Sequence, residues 1–159
     1  MAAALRWLVL GGAALAAVWL LWPRPQPMPA VSFTLTDGRV LDSAALRGKT
    51  VLVNFWSVNC AVCLRDMPAL NRLHQSLQNF TVIGVAASYD PPPAVMETVA
   101  SLQPTYPIAL DVQGEIAHAF GGVDSTPTSF LVDPAGNIQY VERGALDEGR
   151  VRATVLTFQ

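Results

Sequence analysis

The chain has 159 residues, 52% of them hydrophobic, with 10 Lys and Arg against 12 Asp and Glu and two cysteines. That length holds one globular domain and a short appendage. Lys49 is the one lysine, and no charge run, repeat or low-complexity tract occurs; without a basic stripe, the composition argues against nucleic-acid binding.

The first element is the run Trp7–Trp22, sixteen residues with no charged or polar side chain, preceded by Arg6 and followed by Pro23-Arg24. As a helix it measures about 24 Å, and Leu5 with a snorkelling Arg6 brings it close to a membrane span. Three readings compete: a membrane anchor, a cleaved signal peptide and a buried core helix. A core helix would want a solvated face, and this run has none. A signal peptide would end in a small-x-small site, whereas Trp22-Pro23-Arg24-Pro25 follows here. We therefore expect residues 1–22 to form an uncleaved anchor or signal-like helix. The positive charges bias its N-terminus weakly to the cytoplasm. The rest of the chain is then expected on the periplasmic side of the inner membrane, in an oxidising compartment. Removing Arg6 and Arg24 leaves 8 basic against 12 acidic residues, a charge of −4.

Residues 23–30 alternate proline with other residues (PRPQPMP, then Ala30), and this pattern predicts an extended polyproline spacer of roughly 20–25 Å. The domain is expected over 31–159. Val31–Leu35 alternates with period two, turns at Asp37-Gly38 and returns through Arg39–Leu41, a hairpin pattern. Asp42-Ser43 offers a cap to a short helix closed by Gly48. Thr50–Trp56 is a continuous apolar run fit for a strand buried on both faces. From Ala61 to about Leu77 the apolar positions recur at three and four residues, which predicts a helix that Pro68 interrupts and kinks. Phe80–Ala87 reads as a second buried strand, and Tyr89–Pro93 turns into a helix over 94–102. A short strand over 107–110 and a helix over 113–120 follow. Thr128–Asp133 and Ile138–Arg143 then form a hairpin, and a last helix covers about 147–155. Helices alternate with strands early and a hairpin closes the order, so an α/β fold with a mixed sheet and helices on both faces is predicted.

Cys60 and Cys63 sit two residues apart, between the buried strand and the long helix. A bridge so short removes little unfolded-chain entropy, so it makes a poor brace. A thiolate on Cys60 would gain from the helix dipole and the free N–H groups there, and Cys63 lies about one turn further in, placed to attack a mixed disulfide at Cys60. A redox dithiol is the favoured reading. A structural disulfide is the second. A zinc site is the third and the poorest, because His74 and His118 complete the ligand supply at no usual spacing.

With these elements in order the chain resembles the thioredoxin superfamily, and within it the TlpA/ResA-like membrane-anchored thiol–disulfide oxidoreductases. The resemblance covers roughly Val31 to Val141. It rests on VLVNFW leading into C-x-x-C, on MPAL with Pro68 five residues after Cys63, on the inserted strand-and-helix segment, and on STPTSFLVD. It implies a thioredoxin-like fold, an attacking Cys60, a resolving Cys63, and a cis bond at Thr126-Pro127 that sets the Thr126 backbone against a substrate strand. The acid that thioredoxin buries under its dithiol falls on Asn54, which cannot accept a proton. Deprotonation of Cys63 would then need water or another carboxylate; Asp66 is near, though a solvated helix face is its expected place. Trp56 is expected to pack beside the disulfide. Asn59 and Ala61-Val62 depart from the family pattern of tryptophan before the first cysteine and proline before the second.

The function expected is periplasmic thiol–disulfide exchange with protein clients, as a reductase in cytochrome c maturation or copper-protein handling, fed by a membrane electron donor. No cofactor and no resident metal are expected. One alternative is a membrane-tethered copper-binding or assembly module using the reduced pair as soft ligands. Another is a thiol peroxidase, since Ser57-Val58-Asn59-Cys60 faintly matches S/T-x-x-C, but Val53 stands where a peroxiredoxin has proline.

Overall fold

The computed structural model describes residues 25–159; the run read as an anchor lies outside them. Among the described residues no helix is long and apolar enough to cross a membrane. In chain order the strands are β1 (Gln26–Pro27), β2 (Ser32–Leu35), β3 (Val40–Asp42), β4 (Thr50–Trp56), β5 (Phe80–Ala86), β6 (Ile108–Leu110), β7 (Thr128–Val132) and β8 (Asn137–Arg143). The helices are α1 (Ala61–Ser76), α2 (Pro92–Leu102), α3 (Glu115–Ala119) and α4 (Glu148–Leu156), with a 3-10 turn at Ser43–Leu46. The strands join one mixed sheet in the order β1-β8-β7-β4-β5-β6-β2-β3.

β4 lies at the centre with all seven residues buried, parallel to β5 on one side and antiparallel to β7 on the other. Its alternation feeds two cores. Leu52 and Trp56 face Cys63, Met67, Leu70 and Leu73 of α1, with Val95 of α2 and Val151 and Val155 of α4. Val51, Val53 and Phe55 face Phe33, Leu46, Ile116 and Phe120 on the opposite side. Each such aliphatic side chain contributes about 1.5–3 kcal/mol by burial. The expected mixed sheet with helices on both faces is therefore what the residues build.

Three local readings change. The spacer reading is corrected at Gln26–Met28: β1 pairs with β8 through Gln26↔Ile138 and Pro27↔Asn137, and the Met28 N–H donates to the Gly136 carbonyl at 2.9 Å. An extended strip beside an open edge strand finds backbone partners there. Pro68 does not interrupt α1, which is continuous from Ala61 to Ser76. Asp42 makes no side-chain cap; its carboxylate instead accepts from the Ser32 hydroxyl across the β2–β3 pair. The expected hairpin forms as β2 paired with β3, and β2 also joins β6 through Thr34↔Leu110.

His74, near the end of α1, fills a gap in the sheet. The Val82 N–H, on the stretch of β5 before β6 begins, donates to His74 Nδ1 at 3.3 Å. Burial holds this imidazole below its ordinary range. The unfolded chain then binds the proton more readily, so the contribution is fully present above about pH 6.5 and is lost as pH falls through the lower folded value. Urea midpoints measured at pH 7.5 and pH 5 should converge in His74→Gln relative to the parent. An unchanged pH slope in that variant would refute the assignment.

Candidate active site

The main chain leaves β4 at Trp56, passes Ser57–Asn59 and enters α1 with Cys60 as its N-cap residue. Cys60 and Cys63 are joined as a disulfide with 5.2 Å between their Cα atoms. The Cys63 N–H donates to Cys60 Sγ at 3.1 Å, so a helix-terminal donor already points at the first sulfur. That donor and the helix dipole favour a thiolate on Cys60 after reduction. Exposure is unequal: Cys60 is half-buried, while Cys63 is 2% exposed inside the α1 core. A client can reach only the first sulfur easily.

Sheet register brings three further loops to this end. Phe55↔Thr128 places the lead-in to β7 beside the end of β4. Trp56↔Ala86 brings residues 87–91, and Thr128↔Arg143 brings Gly144. The Thr126–Pro127 bond is cis; Pro127 is buried and Thr126 half-buried. The Gly144 N–H donates to the Pro127 carbonyl at 2.8 Å, and the Tyr89 hydroxyl lies 3.4 Å from Thr126 Oγ1. Beside Thr126 a groove of about 200 Å³ runs between Phe55, Ala87, Tyr89 and Val123.

Asn54 is 4% exposed and donates through Nδ2 to Ser129 Oγ at 2.9 Å, a neutral pair across β4 and β7. Trp56 is 1% exposed and shares its core with Cys63. Its Nε1 and the hydroxyls of Tyr106 and Tyr140 are buried without a hydrogen-bond partner among the described residues. Burial, with the nearby Glu142 charge second, pushes the Tyr140 hydroxyl up to about 12.

Asp66 is corrected. It is half-buried, and its carboxylate accepts from the Leu146 N–H at 2.8 Å, tying the loop after β8 to α1. His74 is engaged with Val82, and His118 is exposed on α3. Among the described residues no three His, Cys, Asp or Glu side chains gather as a metal site.

The sequence reading missed Asp90 and weighed Ser57 only as part of a peroxidase motif; the two are 5% and 2% exposed. Asp90 accepts from Ser57 Oγ at 3.0 Å and from the Val58 N–H at 2.9 Å. The only signal of Asp90 was an aspartate before three prolines, which reads as a turn.

Comparison with known proteins agrees with this geometry. The Redoxin family model matches residues 24–156. The thiol-disulfide oxidoreductase ResA of Geobacillus thermodenitrificans is 32% identical over 126 residues, covering 77% of this chain and 72% of that protein. The ResA of Bacillus thuringiensis subsp. konkukian is 34% identical over 112 residues, covering 69% of this chain and 64% of its own length. Among solved structures, a thiol:disulfide interchange protein of the thioredoxin family from Chlorobium tepidum superposes with a TM-score of 0.76 at 29% identity, covering 86% of this chain and 97% of that one. StoA from Bacillus subtilis shares the fold, with a TM-score of 0.69 at 20% identity over 81% of this chain and 98% of its own.

Proposed function

We propose that this chain, which belongs to the redoxin family and within it to the ResA-like thiol–disulfide oxidoreductases of the thioredoxin superfamily, works as a periplasmic reductase tethered to the inner membrane. Its enzymatic pair is Cys60–Cys63, and its clients are proteins bearing thiols or disulfides. The observation that carries the reading is the asymmetry of the pair, a reachable Cys60 at a helix start with Cys63 buried behind it. In the reduced enzyme the Cys60 thiolate attacks a client disulfide. A Cys60–client bond forms, the client S–S bond breaks, and one client sulfur leaves and takes a proton. Cys63, as thiolate, then attacks Cys60 Sγ. The Cys60–Cys63 bond forms and the client departs with two thiols, having gained two electrons and two protons. A membrane dithiol donor restores the reduced pair by the same exchange in reverse.

Thr126 and Pro127 serve in this reading as the backbone edge for an extended client segment. The apolar run over 7–22 supports the tether, and family likeness supports apocytochrome or copper-site clients. A copper-carrying role would rest on two sulfurs alone. A peroxidase role would need Ser57 at the peroxide, and its hydroxyl is already engaged by Asp90. Full-length Cys63→Ser, produced in cells and purified under acid quenching, should carry a client on Cys60 that reductant releases. Recovery in the cytoplasmic fraction without a bound protein would refute both the location and exchange through Cys60.

A further inference from the structure

We infer that Asp90 is a positioning residue for the reactive thiol, its buried carboxylate clamping the Ser57–Asn59 loop that presents Cys60 to the client. This rests on the exchange chemistry of Cys60 and not on the identity or location of the client.

The contacts form one short chain. Asp90 Oδ1 accepts from Ser57 Oγ at 3.0 Å and Oδ2 from the Val58 N–H at 2.9 Å. Ser57 Oγ in turn accepts from the Asn59 N–H at 3.3 Å, and the Ser57 carbonyl accepts from the Cys60 N–H at 3.1 Å. Every residue from 57 to 60 is thus held by Asp90 directly or through Ser57. The carboxylate is itself aimed from behind. The Asp90 backbone N–H donates to the Ala87 carbonyl at 3.0 Å, and Pro91 follows as the N-cap of α2, restricting the Asp90 backbone. Asn54, on the same face of β4 as Leu52 and Trp56, is neutral and donates to Ser129 Oγ. Asp90 is therefore the buried acid that contacts the loop leading into Cys60.

A carboxylate that only braced the loop would affect folding and nothing else. A charge held so close to the N-terminus of α1 also opposes the thiolate, because it offsets the helix dipole. Other charged side chains on the elements that meet here are Arg65 and Asp66 on α1, Asp124 before Thr126, Glu142 and Arg143 at the end of β8 and Asp147 beyond it. Asp66 is already committed to Leu146.

Asp90→Asn separates the two roles. Its amide can accept from Val58 and donate to Ser57, preserving both contacts while removing the charge. In the full-length protein, iodoacetamide labelling of Cys60 at pH 6 should rise about three- to tenfold, the span of up to one pKa unit. The equilibrium with glutathione should move toward the dithiol by a similar factor. Asp90→Ala strands the Ser57 hydroxyl and Val58 N–H, so labelling and equilibrium should both change and exchange with a client should slow. Should that variant fail to fold, Ser57→Ala gives a smaller shift of the same readouts with the Asp90–Val58 bond intact. Titration and equilibrium within twofold of the parent in both Asp90→Asn and Asp90→Ala (or Ser57→Ala, should Asp90→Ala not fold), in folded proteins, would overturn the inference.

Discussion

Cys60→Ser should abolish disulfide exchange, with a loss of roughly three orders of magnitude or more, the scale seen when an activated nucleophile is removed. Serine has no thiolate to offer at neutral pH, and no second thiol is within easy reach, because Cys63 is buried against α1. Cys63→Ser should behave differently. Its first half-reaction, one stoichiometric release of a client sulfur, should proceed near the parental rate, and the mixed disulfide should then persist. Stopped-flow with a chromogenic aromatic disulfide resolves the two phases. Labelling rates against pH on each single-cysteine variant complete the assignment, with Cys60 titrating at the lower pH. Faster labelling of Cys63 at pH 6–7 would reverse the two roles.

Gly84→Ala should destabilise the domain by about 1–3 kcal/mol, the usual cost of overpacking a core. A methyl group at Gly84 would stand 2.6 Å from Ile108 Cδ1, 3.2 Å from the Tyr106 ring and 3.3 Å from Trp56 Nε1. The absent side chain is what lets two large rings and an isoleucine converge on one strand. Alanine would otherwise be the better residue within a strand, so the sign is informative. The double variant Gly84→Ala/Ile108→Val removes the closest atom and should recover much of the loss, although Ile→Val alone costs about 0.5–1.5 kcal/mol. Thermal or urea unfolding of the four proteins in this cycle measures the coupling. Simple additivity would mean that the neighbours yield without strain.

The elements legible in the sequence were those whose signal is local. The unbroken apolar run of β4 and the three–four spacing along α1 each announce a period, and the dithiol stands between them. Partnerships across long separations were not legible. Asp90 meets Ser57 33 residues away and Asp66 meets Leu146 80 residues away, and nothing in either neighbourhood names the partner. Composition said that Gln26–Met28 would be extended, and it is. It could not say that the strand waiting for it begins at Asn137, because an edge exists only once the sheet has formed. The Thr126–Pro127 geometry was available from family likeness alone.

The loops around Cys60 are tied to one another: Asp90 to Val58, Tyr89 to Thr126, Pro127 to Gly144 and Asp66 to Leu146. Their ordering is settled when the chain folds, before any client arrives. An incoming peptide that extends along the proposed edge must surrender about 1–2 kcal/mol of backbone freedom for each residue it aligns, with no matching loss on the enzyme. A few aligned residues then leave little net affinity, and the covalent sulfur bond, not the contact area, holds the complex together. Once Cys63 breaks that bond, nothing of comparable strength remains to delay departure of the client.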